Sequence, residues 1–365
     1  TVVLFAGMFV VGAALFHTGL AQKIGIGIVK ISGTKESSLM FGIMVVSAAL
    51  SSCLSNTGTA ACLMPVVLGI CAAAKIPASR QLMPLAYAAG IGGVITMVGT
   101  PPNIIVSGVL TSFGYESFSF FEFSWIGIPL TFVVIAYMMF IGKYLLPKAE
   151  LDADQEIEQE IEATVTDSKK QIVSGLILAV CIIVMALDLK AISLEMTAIV
   201  GALVCVLTGC LTEKQAYSAI DWVTIFLFAG MMPVSAAMDK TGAGKLIAEW
   251  AVSLMGGSPT PIIMTSVLFI ISCTLSNTAA CALLAPVGVA ISQQLGASPK
   301  AVLMAIGVAA SCAFATPVGT PPCTLVLGPG GYKFMDYVKV GVPLVVLCFI
   351  VSIIVIPMVW PFFPG

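Results

Sequence analysis

Charge is the scarcest property of this sequence. Asp, Glu, Lys and Arg make up 9% of the 365 residues, whereas a soluble domain carries about a quarter. Histidine occurs once, as His17, and arginine occurs once, as Arg80. The formal net charge of −2 offers no basic stripe for nucleic acid. This composition excludes an ordinary soluble domain and argues against a nucleic-acid partner.

Motifs of nucleotide, metal and hydrolytic chemistry are also missing. The 11 cysteines contain no CxxC pair, and Cys53, Cys62 and Cys71 lie nine residues apart, which is not a helical ligand spacing. The stretch GAGKL at 242–246 lacks the Ser or Thr of a P-loop. No GxSxG motif accompanies His17. We therefore expect a protein that is not an enzyme and that carries no cofactor.

Apolar residues dominate instead. They account for 59% of the chain, and the mean hydropathy is +1.09. Runs such as 172–187, 191–211, 222–238 and 340–359 approach the roughly 20 residues of a spanning helix. Strings of alternating apolar and polar residues, which a barrel needs, are not found. The sequence predicts an all-α, multi-pass protein of the inner or plasma membrane.

Three short motifs occur twice, in the same order. Their copies lie 223, 221 and 220 residues apart, and a nearly constant offset indicates an internal duplication. The pairs are LFAGM at 4–8 and 227–231, LSNT at 54–57 and 275–278, and VGTPP at 98–102 and 318–322.

The duplication divides the chain into two repeats, 1–147 and 171–365. Between them, 148–170 holds eight of the 18 acidic residues and is predicted to be a solvated cytoplasmic linker. In the first repeat we predict a spanning helix over 2–22, a helical hairpin over 37–74 with its tip at 55–58, a helix over 83–112 that breaks at 99–103, and a span over 124–146.

The second repeat is predicted to begin with scaffold helices within 171–239. These are spans over 171–188, 191–210 and 222–239. They are followed by a hairpin over 259–295 that turns at 276–279, a helix over 301–328 that breaks at 319–323, and a last span over 335–359.

The hairpins and breaks rest on two physical arguments. The hairpin arms on either side of the SNT triplets are about 15 residues long, shorter than a typical spanning helix, which favours re-entrant pairs. Proline pairs lack backbone donors and disfavour helix just before them, so GTPP should interrupt its helix.

The placement of basic residues predicts that the repeats are inverted. Twelve of the 16 lysines and arginines, including Lys75 and Arg80, fall on one side of this map. By the positive-inside rule that side is cytoplasmic. The first hairpin then enters from the cytoplasm and the second from outside. The basic residues on the other side are Lys190, Lys240, Lys245 and Lys300.

The spans at 171–188 and 191–210 have no counterparts before Thr1. We therefore expect the intact protein to continue upstream by about fifty or more residues, with at least two helices, because the offset of 223 residues places the missing start there.

Inverted repeats with discontinuous helices place binding sites near the membrane midplane. The N-terminus of a half-helix presents N–H groups and suits an anion, and a C-terminus presents carbonyls that suit Na⁺. The acidic residues map to span ends or loops, so an oxygen-rich site without a core carboxylate fits sodium better than protons. An anion site flanked by two cation sites is predicted.

These paired SNT and GTPP motifs resemble the divalent anion/sodium symporter family, whose members carry dicarboxylates, citrate or sulfate. The resemblance runs from LFAGM through the whole chain. It implies a homodimer with a static scaffold, a moving transport domain, and an elevator mechanism of alternating access. It departs from the family pattern at Cys323, where Asn is expected, and in lacking the N-terminal scaffold helices.

The resemblance also implies site residues, carried over position by position. The first sodium site would use Ser51, Ser55, Asn56 and the carbonyl of Gly99, and the second Ser272, Asn277 and the main chain of Leu275 and Gly319. The substrate would be bound by Asn56, Thr57, Thr100, Asn277, Thr278, Thr320 and Pro321.

The favoured function is sodium-coupled transport of small divalent anions, with C4-dicarboxylates first among them. A sodium-independent dicarboxylate exchanger and a sulfate or tricarboxylate carrier of the same build are the alternatives. A passive channel is disfavoured, because hairpins on two sides suggest gates that close alternately.

Overall fold

The computed structural model describes residues 2–32, 35–147, 168–187, 192–243, 260–273 and 277–363, together with 246, 249 and 253. Over these residues the chain forms helices joined by turns, as predicted. The acidic segment 148–167 and the residues 274–276 of the second hairpin lie outside the described part.

Over its described residues, the first half contains seven α-helices. They are α1 (Val2–His17), α2 (Leu20–Ser32), α3 (Glu36–Ser51), α4 (Asn56–Ala74), α5 (Leu82–Gly92), α6 (Pro101–Ser112) and α7 (Ser124–Leu145), the last with a π-helical turn at Met138–Gly142.

The second half adds nine helices within the described residues. They are α8 (Ser168–Ala186), α9 (Leu194–Leu207), α10 (Glu213–Ala219), α11 (Trp222–Thr241), α12 (Pro261–Cys273), α13 (Asn277–Leu295), α14 (Pro299–Ser311), α15 (Pro321–Leu327) and α16 (Phe334–Val359).

Membrane-spanning potential is present in both halves. In the described part of the chain, five helices (α4, α7, α8, α13 and α16) are long and apolar enough to cross a bilayer. The bent pair α1–α2 makes a sixth if it is counted as one span. Large apolar side chains on α7 and α8, such as Phe132 and Ile172, are more than 70% exposed, which suits contact with lipid.

The helix predicted over 2–22 is not one continuous helix. The chain bends by 60° between α1 and α2. Gly19 adopts a φ of 76° there, a left-handed conformation that glycine adopts without steric cost. Thr18 reinforces the bend, because its hydroxyl donates to the carbonyl of Ala14 at 2.8 Å.

The first hairpin tip lies earlier than predicted, and part of the predicted second tip is helical. The turn of the first hairpin occupies 52–55, and Asn56, Thr57 and Gly58 already belong to α4. In the second hairpin, 277–279 likewise belong to α13. The second arms α4 and α13 are therefore 19 residues each, longer than expected, and by length alone each could cross the membrane. Helix length does not favour re-entrance for these arms, and re-entrance stays a prediction.

Both helix breaks are also displaced. The first break consists of a 3₁₀ turn at Gly93–Ile95 followed by bends and turns to Thr100, and the second runs over 312–320. The proline pairs stand at the first two positions of α6 and α15 rather than inside the breaks. Proline is favoured there because its fixed φ suits a helix start and its missing N–H would have no helical partner.

The helical core is built by reciprocal packing of the two halves. α3 and α4 pack against α5, and α12 and α13 pack against α14. After the breaks, α6 packs against α13 and α14, whereas α15 packs against α4 and α5. Every residue of α5 is buried. Each half therefore completes the pocket of the other. Outside this core, α1 packs against α8 and α9.

Ion pairs close the two ends of the core. Arg80 Nε lies 2.6 Å from Glu36 Oε1, and Lys300 Nζ lies 3.3 Å from Glu122 Oε2. Arg80 and Lys300 are 220 residues apart, so they are equivalent in the duplication. Each joins the start of a broken helix to a segment of the first half.

Candidate functional site

The first hairpin tip is held by a helix cap. Ser55 Oγ accepts a hydrogen bond from the backbone N–H of Gly58 at 3.1 Å, which satisfies one of the free donors at the start of α4. The hydroxyl of Thr96, in the first break, donates to the carbonyl of Ser52. The tip is thus fixed both to its own helix and to the break.

The amide of Asn56 connects this tip to the broken helix. One arm of the amide lies 2.7 Å from Ser51 Oγ, 3.1 Å from the carbonyl oxygen of Ala89 and 3.0 Å from that of Gly99. The other arm lies 3.2 Å from Thr100 Oγ1 and 3.3 Å from the carbonyl oxygen of Gly90. Asn56 is 5% exposed, so these contacts form in a site from which water is largely excluded.

Either orientation of that amide is chemically meaningful. With nitrogen on the first arm, Asn56 donates to the surrounding oxygens. With oxygen there, the Ser51 hydroxyl donates to it at 2.7 Å, while the carbonyl oxygens of Ala89 and Gly99 face it without a hydrogen.

Close approach of the backbone makes this cluster possible. A Cβ atom at Gly93 would collide with the amide of Asn56, so any larger residue displaces the tip. Asn103 holds the turn in place, because its Nδ2 donates to the carbonyls of Thr96 at 2.8 Å, Val94 at 3.3 Å and Gly93 at 3.4 Å. Asn103 is fully buried, so the turn is anchored from inside the protein.

The second half-site is built differently. The backbone N–H of Asn277 donates to the carbonyl of Gly319 at 3.1 Å, which connects the second tip to the second break. The Asn277 side chain accepts from the N–H of Thr278 at 2.6 Å. Cys323 stands where Asn103 stands in the first repeat, and it accepts from Thr320 Oγ1 at 3.1 Å.

One cavity of about 360 Å³ joins the two tips. The N-terminal ends of α4, α6, α13 and α15 reach it. Residues of α1 form another part of its wall. The lining residues are Met8, Phe9, Gly12, Ala13, Phe16, His17, Ser55, Asn56, Thr57, Gly58, Pro101, Ala219, Asp221, Asn277, Thr278 and Pro321.

The predicted site residues fall into three groups. Ser55, Asn56, Thr57, Asn277, Thr278 and Pro321 line the cavity. Ser51, Gly99, Thr100, Gly319 and Thr320 are not among the lining residues, but contact these residues or the breaks behind them. Leu275 and the side chain of Ser272 lie outside the described residues.

Several residues at the site were not expected from the sequence. Ala89 and Gly90 contribute backbone carbonyls, which the identity of a side chain does not reveal. Gly93 lies outside the repeated motifs. Asn103, the equivalent of Cys323, anchors the turn of the first break, a role that the sequence analysis did not assign to it. Phe16 and His17 reach the cavity through the packing of α1, which no local pattern reveals.

The electrostatics of the cavity come mainly from helix ends. α4, α6, α13 and α15 all begin at it, so the partial positive charges of their N-terminal ends lie near the space. Among the residues that line it, His17 is the basic one and Asp221 the acidic one. The carboxylate of Asp221 caps α11, since it accepts from Thr224 N at 3.1 Å and Thr224 Oγ1 at 2.6 Å.

Comparison with known proteins assigns the chain to a family. The family model described as CitMHS, citrate transporter, matches residues 1–190 and again residues 180–363. The chain belongs to the citrate transporter family. This assignment makes the protein a multi-pass membrane transporter and not an enzyme, as the sequence indicated.

Relatives of this transporter match along most of its length. An uncharacterized transporter from Haemophilus influenzae is 32% identical over 96% of this chain and 79% of its own length. The transporter YfbS of Escherichia coli is 25% identical over 99% of this chain and 91% of its own length. The sodium-dependent dicarboxylate transporter SdcS of Staphylococcus aureus is 25% identical over 99% and 76% respectively.

A solved structure has a similar fold. The YdaH transporter of Alcanivorax borkumensis, described as having an unusual topology, superimposes with a TM-score of 0.68 over 99% of this chain and 86% of its own. Its sequence identity is 17%, so the likeness concerns the fold alone. The helical transporter architecture expected from the sequence is confirmed.

Proposed function

We propose that this transporter carries small divalent anions, most favourably C4-dicarboxylates, in symport with sodium. The observation that supports this most strongly is the single cavity between Asn56 and Asn277, at which four helices begin. The relative SdcS of Staphylococcus aureus is a sodium-dependent dicarboxylate transporter, which supports the proposal.

The anion is bound in this proposal without a lysine or arginine. The N-terminal ends of α4, α6 and α13 lie at the cavity, and each carries a partial positive charge. Backbone N–H groups of α4 add donors, whereas the first two residues of α6 are prolines and have none. Thr57 and Thr278 add hydroxyls on the two sides. A dianion has two charged ends, and two opposed tips provide one set of donors for each. Asn56, Thr57 and Thr100 would serve one carboxylate, and Asn277, Thr278, Thr320 and Pro321 the other.

Sodium is assigned to the oxygen cluster around Asn56. Ser51, Asn56 and the carbonyl of Gly99 are close enough to share one ion, and the carbonyl of Ala89 adds a further oxygen. Such an uncharged oxygen set suits Na⁺ at an unwound helix. Ser55 Oγ already accepts the capping hydrogen bond from Gly58, so its hydroxyl contributes less to binding this ion. A second ion is proposed at Asn277, Gly319, Ser272 and Leu275.

An elevator movement would carry the cavity across the membrane. In this proposal α3–α6 and α12–α15 move as one body, because they pack on one another, while α1, α8 and α9 form the static side. Phe16 of α1 contacts the tip at Gly58, so this contact would open as the body moves. A homodimer, in which the static parts of two chains meet, belongs to the same proposal and is checked by cross-linking in native membranes.

The test is uptake of labelled succinate into proteoliposomes, with and without an inward sodium gradient. Saturable uptake that requires external sodium is the expected result. Uptake that depends instead on internal dicarboxylate would replace symport with exchange. Flux that rises linearly with succinate would contradict a carrier of this substrate.

Citrate is the second candidate substrate. The matched family model carries that name, and the cavity volume of about 360 Å³ lies within the usual range of small-molecule pockets. The same proteoliposomes should be supplied with excess unlabelled citrate, sulfate or malate. Inhibition by citrate at a lower concentration than by malate would move the proposal to tricarboxylates.

A further inference from the structure

The two helix breaks are stabilised by different residues. In the first repeat, Nδ2 of Asn103 donates to the carbonyl of Val94 at 3.3 Å. The offset of 220 residues makes Phe314 the equivalent of Val94 and Cys323 the equivalent of Asn103. A thiol is a weak donor, and Cys323 is already in contact with Thr320 Oγ1. The carbonyl of Phe314 therefore needs another partner.

Tyr87 supplies that partner from the other repeat. Its hydroxyl donates to the carbonyl of Phe314 at 3.1 Å. Its ring centroid lies 5.0 Å from that of Phe314, and both side chains are fully buried. The equivalent of Tyr87 in the second repeat is Gly307, so this contact has no symmetric copy. The second break thus depends on a residue of the first half.

The position of Tyr87 on α5 gives this contact a further consequence. Ala89 and Gly90, two and three residues later on the same helix, place their carbonyls against Asn56. One rigid, fully buried helix therefore contacts the first cation cluster and the second break. A shift of α5 that alters the oxygen cluster around Asn56 therefore also alters the second break. The reverse holds as well.

We propose that Tyr87 is a positioning residue that holds the second break in register and couples the two half-sites of the transport pocket. This inference rests on the proposed function, which supplies succinate and sodium as the ligands of the pocket. It assigns Tyr87 no contact with substrate or sodium. Its role is to fix the turn before Gly319, whose carbonyl accepts from the N–H of Asn277.

The decisive variant is Tyr87→Phe, which keeps the ring and removes the hydroxyl. The half-saturating concentrations of succinate and sodium should both rise by about fivefold or more, because a buried carbonyl loses its partner, while the amount of protein in the membrane is retained. The matched control is Tyr332→Phe. The Tyr332 hydroxyl donates to Ser79 O at 2.6 Å and accepts from Met83 N at 2.8 Å. These contacts lie at the start of α5, whereas Ala89 and Gly90 lie near its end. This control should lower thermal stability but leave both half-saturation values unchanged.

A second variant tests the geometry directly. Adding Cys323→Asn to Tyr87→Phe supplies the amide that the first repeat has at Asn103, and should restore both half-saturation values to within about twofold of the parent. In purified Tyr87→Phe protein, the backbone amides of 312–320 should exchange with deuterium faster than in the parent. This measurement requires no transport substrate.

The outcomes separate the two proposals. If the parent protein shows no saturable succinate uptake, the proposed function fails, and the exchange measurement still decides the role of Tyr87. If the parent transports as expected and Tyr87→Phe matches it in both half-saturation values, the coupling role is wrong. Unchanged exchange at 312–320 also overturns it.

Discussion

The side-chain amide of Asn56 lies 3.2 Å from the hydroxyl of Thr100, across the space between the first hairpin tip and the first break. Asn56 begins α4, and Thr100 directly precedes α6. A single side chain therefore connects two helix starts, and it also faces the cavity. This placement makes Asn56 the most sensitive position for testing the site.

Replacement of Asn56 by Ala should abolish uptake while the protein still reaches the membrane. The variant loses the amide contacts to Ser51, Gly90 and Thr100, and with them the oxygen that we assign to sodium. Asn277→Ala should have the same effect at the second tip. The measurement is labelled succinate uptake normalised to the amount of protein in the membrane.

The matched control at the first tip is Ser52→Ala. The Ser52 hydroxyl donates to the carbonyl of Ala49 at 2.8 Å, away from the cavity lining. This variant should transport like the parent. Near-normal uptake by both asparagine variants would end the assignment of the pocket.

Replacement of Gly93 by Ala should reduce transport by about tenfold or more through a purely steric effect. The new methyl group would occupy the space of the Asn56 amide, and the required shift costs about 1–3 kcal/mol. The control is Gly69→Ala on α4, where an added Cβ meets no atom within 4 Å. Equal uptake by the two variants would show that the first break tolerates displacement.

Glu122 should contribute more to stability than to transport. Its carboxylate accepts from Ser119 N at 2.9 Å, Trp360 Nε1 at 2.8 Å and Lys300 Nζ at 3.3 Å. We expect Glu122→Gln to destabilise the protein by about 1–2 kcal/mol, because the amide keeps one oxygen but loses the charge.

The measurement for Glu122→Gln is the thermal midpoint of the purified protein in detergent. The exposed neighbour Glu116, changed to Gln, is the control and should leave the midpoint within about one degree of the parent, since exposed charges contribute little. A midpoint for Glu122→Gln equal to that of the control would contradict the role of the ion pair.

The inverted arrangement predicts opposite labelling of two equivalent positions. Ala73 and Gln294 are exposed, lie near the ends of α4 and α13, and are 221 residues apart. In a cysteine-free background, Gln294→Cys should react with an impermeant maleimide added to intact cells, whereas Ala73→Cys should react only after the membrane is opened. Reaction of both from outside would refute the inversion.

Much of this architecture follows from short-range information. The scarcity of charge and the long apolar runs determined that the protein is an all-helical membrane protein, because lipid excludes other arrangements of the backbone at this composition. The constant offset between repeated motifs showed the duplication. SNT located the first tip, and GTPP the ends of the two breaks, to within a few residues.

The positions of helix ends were less well determined by sequence. The prolines of GTPP were expected inside the breaks, but they begin helices, since a proline at the first turn needs no hydrogen-bond partner. The tip residues Asn56 and Asn277 begin helices in the same way. Capping depends on local competition between side chain and backbone, and sequence patterns place it only approximately.

By itself, the sequence determined which residues are polar in an apolar chain and that they occur in two copies. The tertiary structure alone decided that α5 places Ala89 beside Asn56 and Tyr87 beside Phe314, and that α1 brings Phe16 and His17 to the cavity. Backbone carbonyls are present at every residue and give no sequence signal. Where they meet depends on packing between distant segments, which no local pattern encodes.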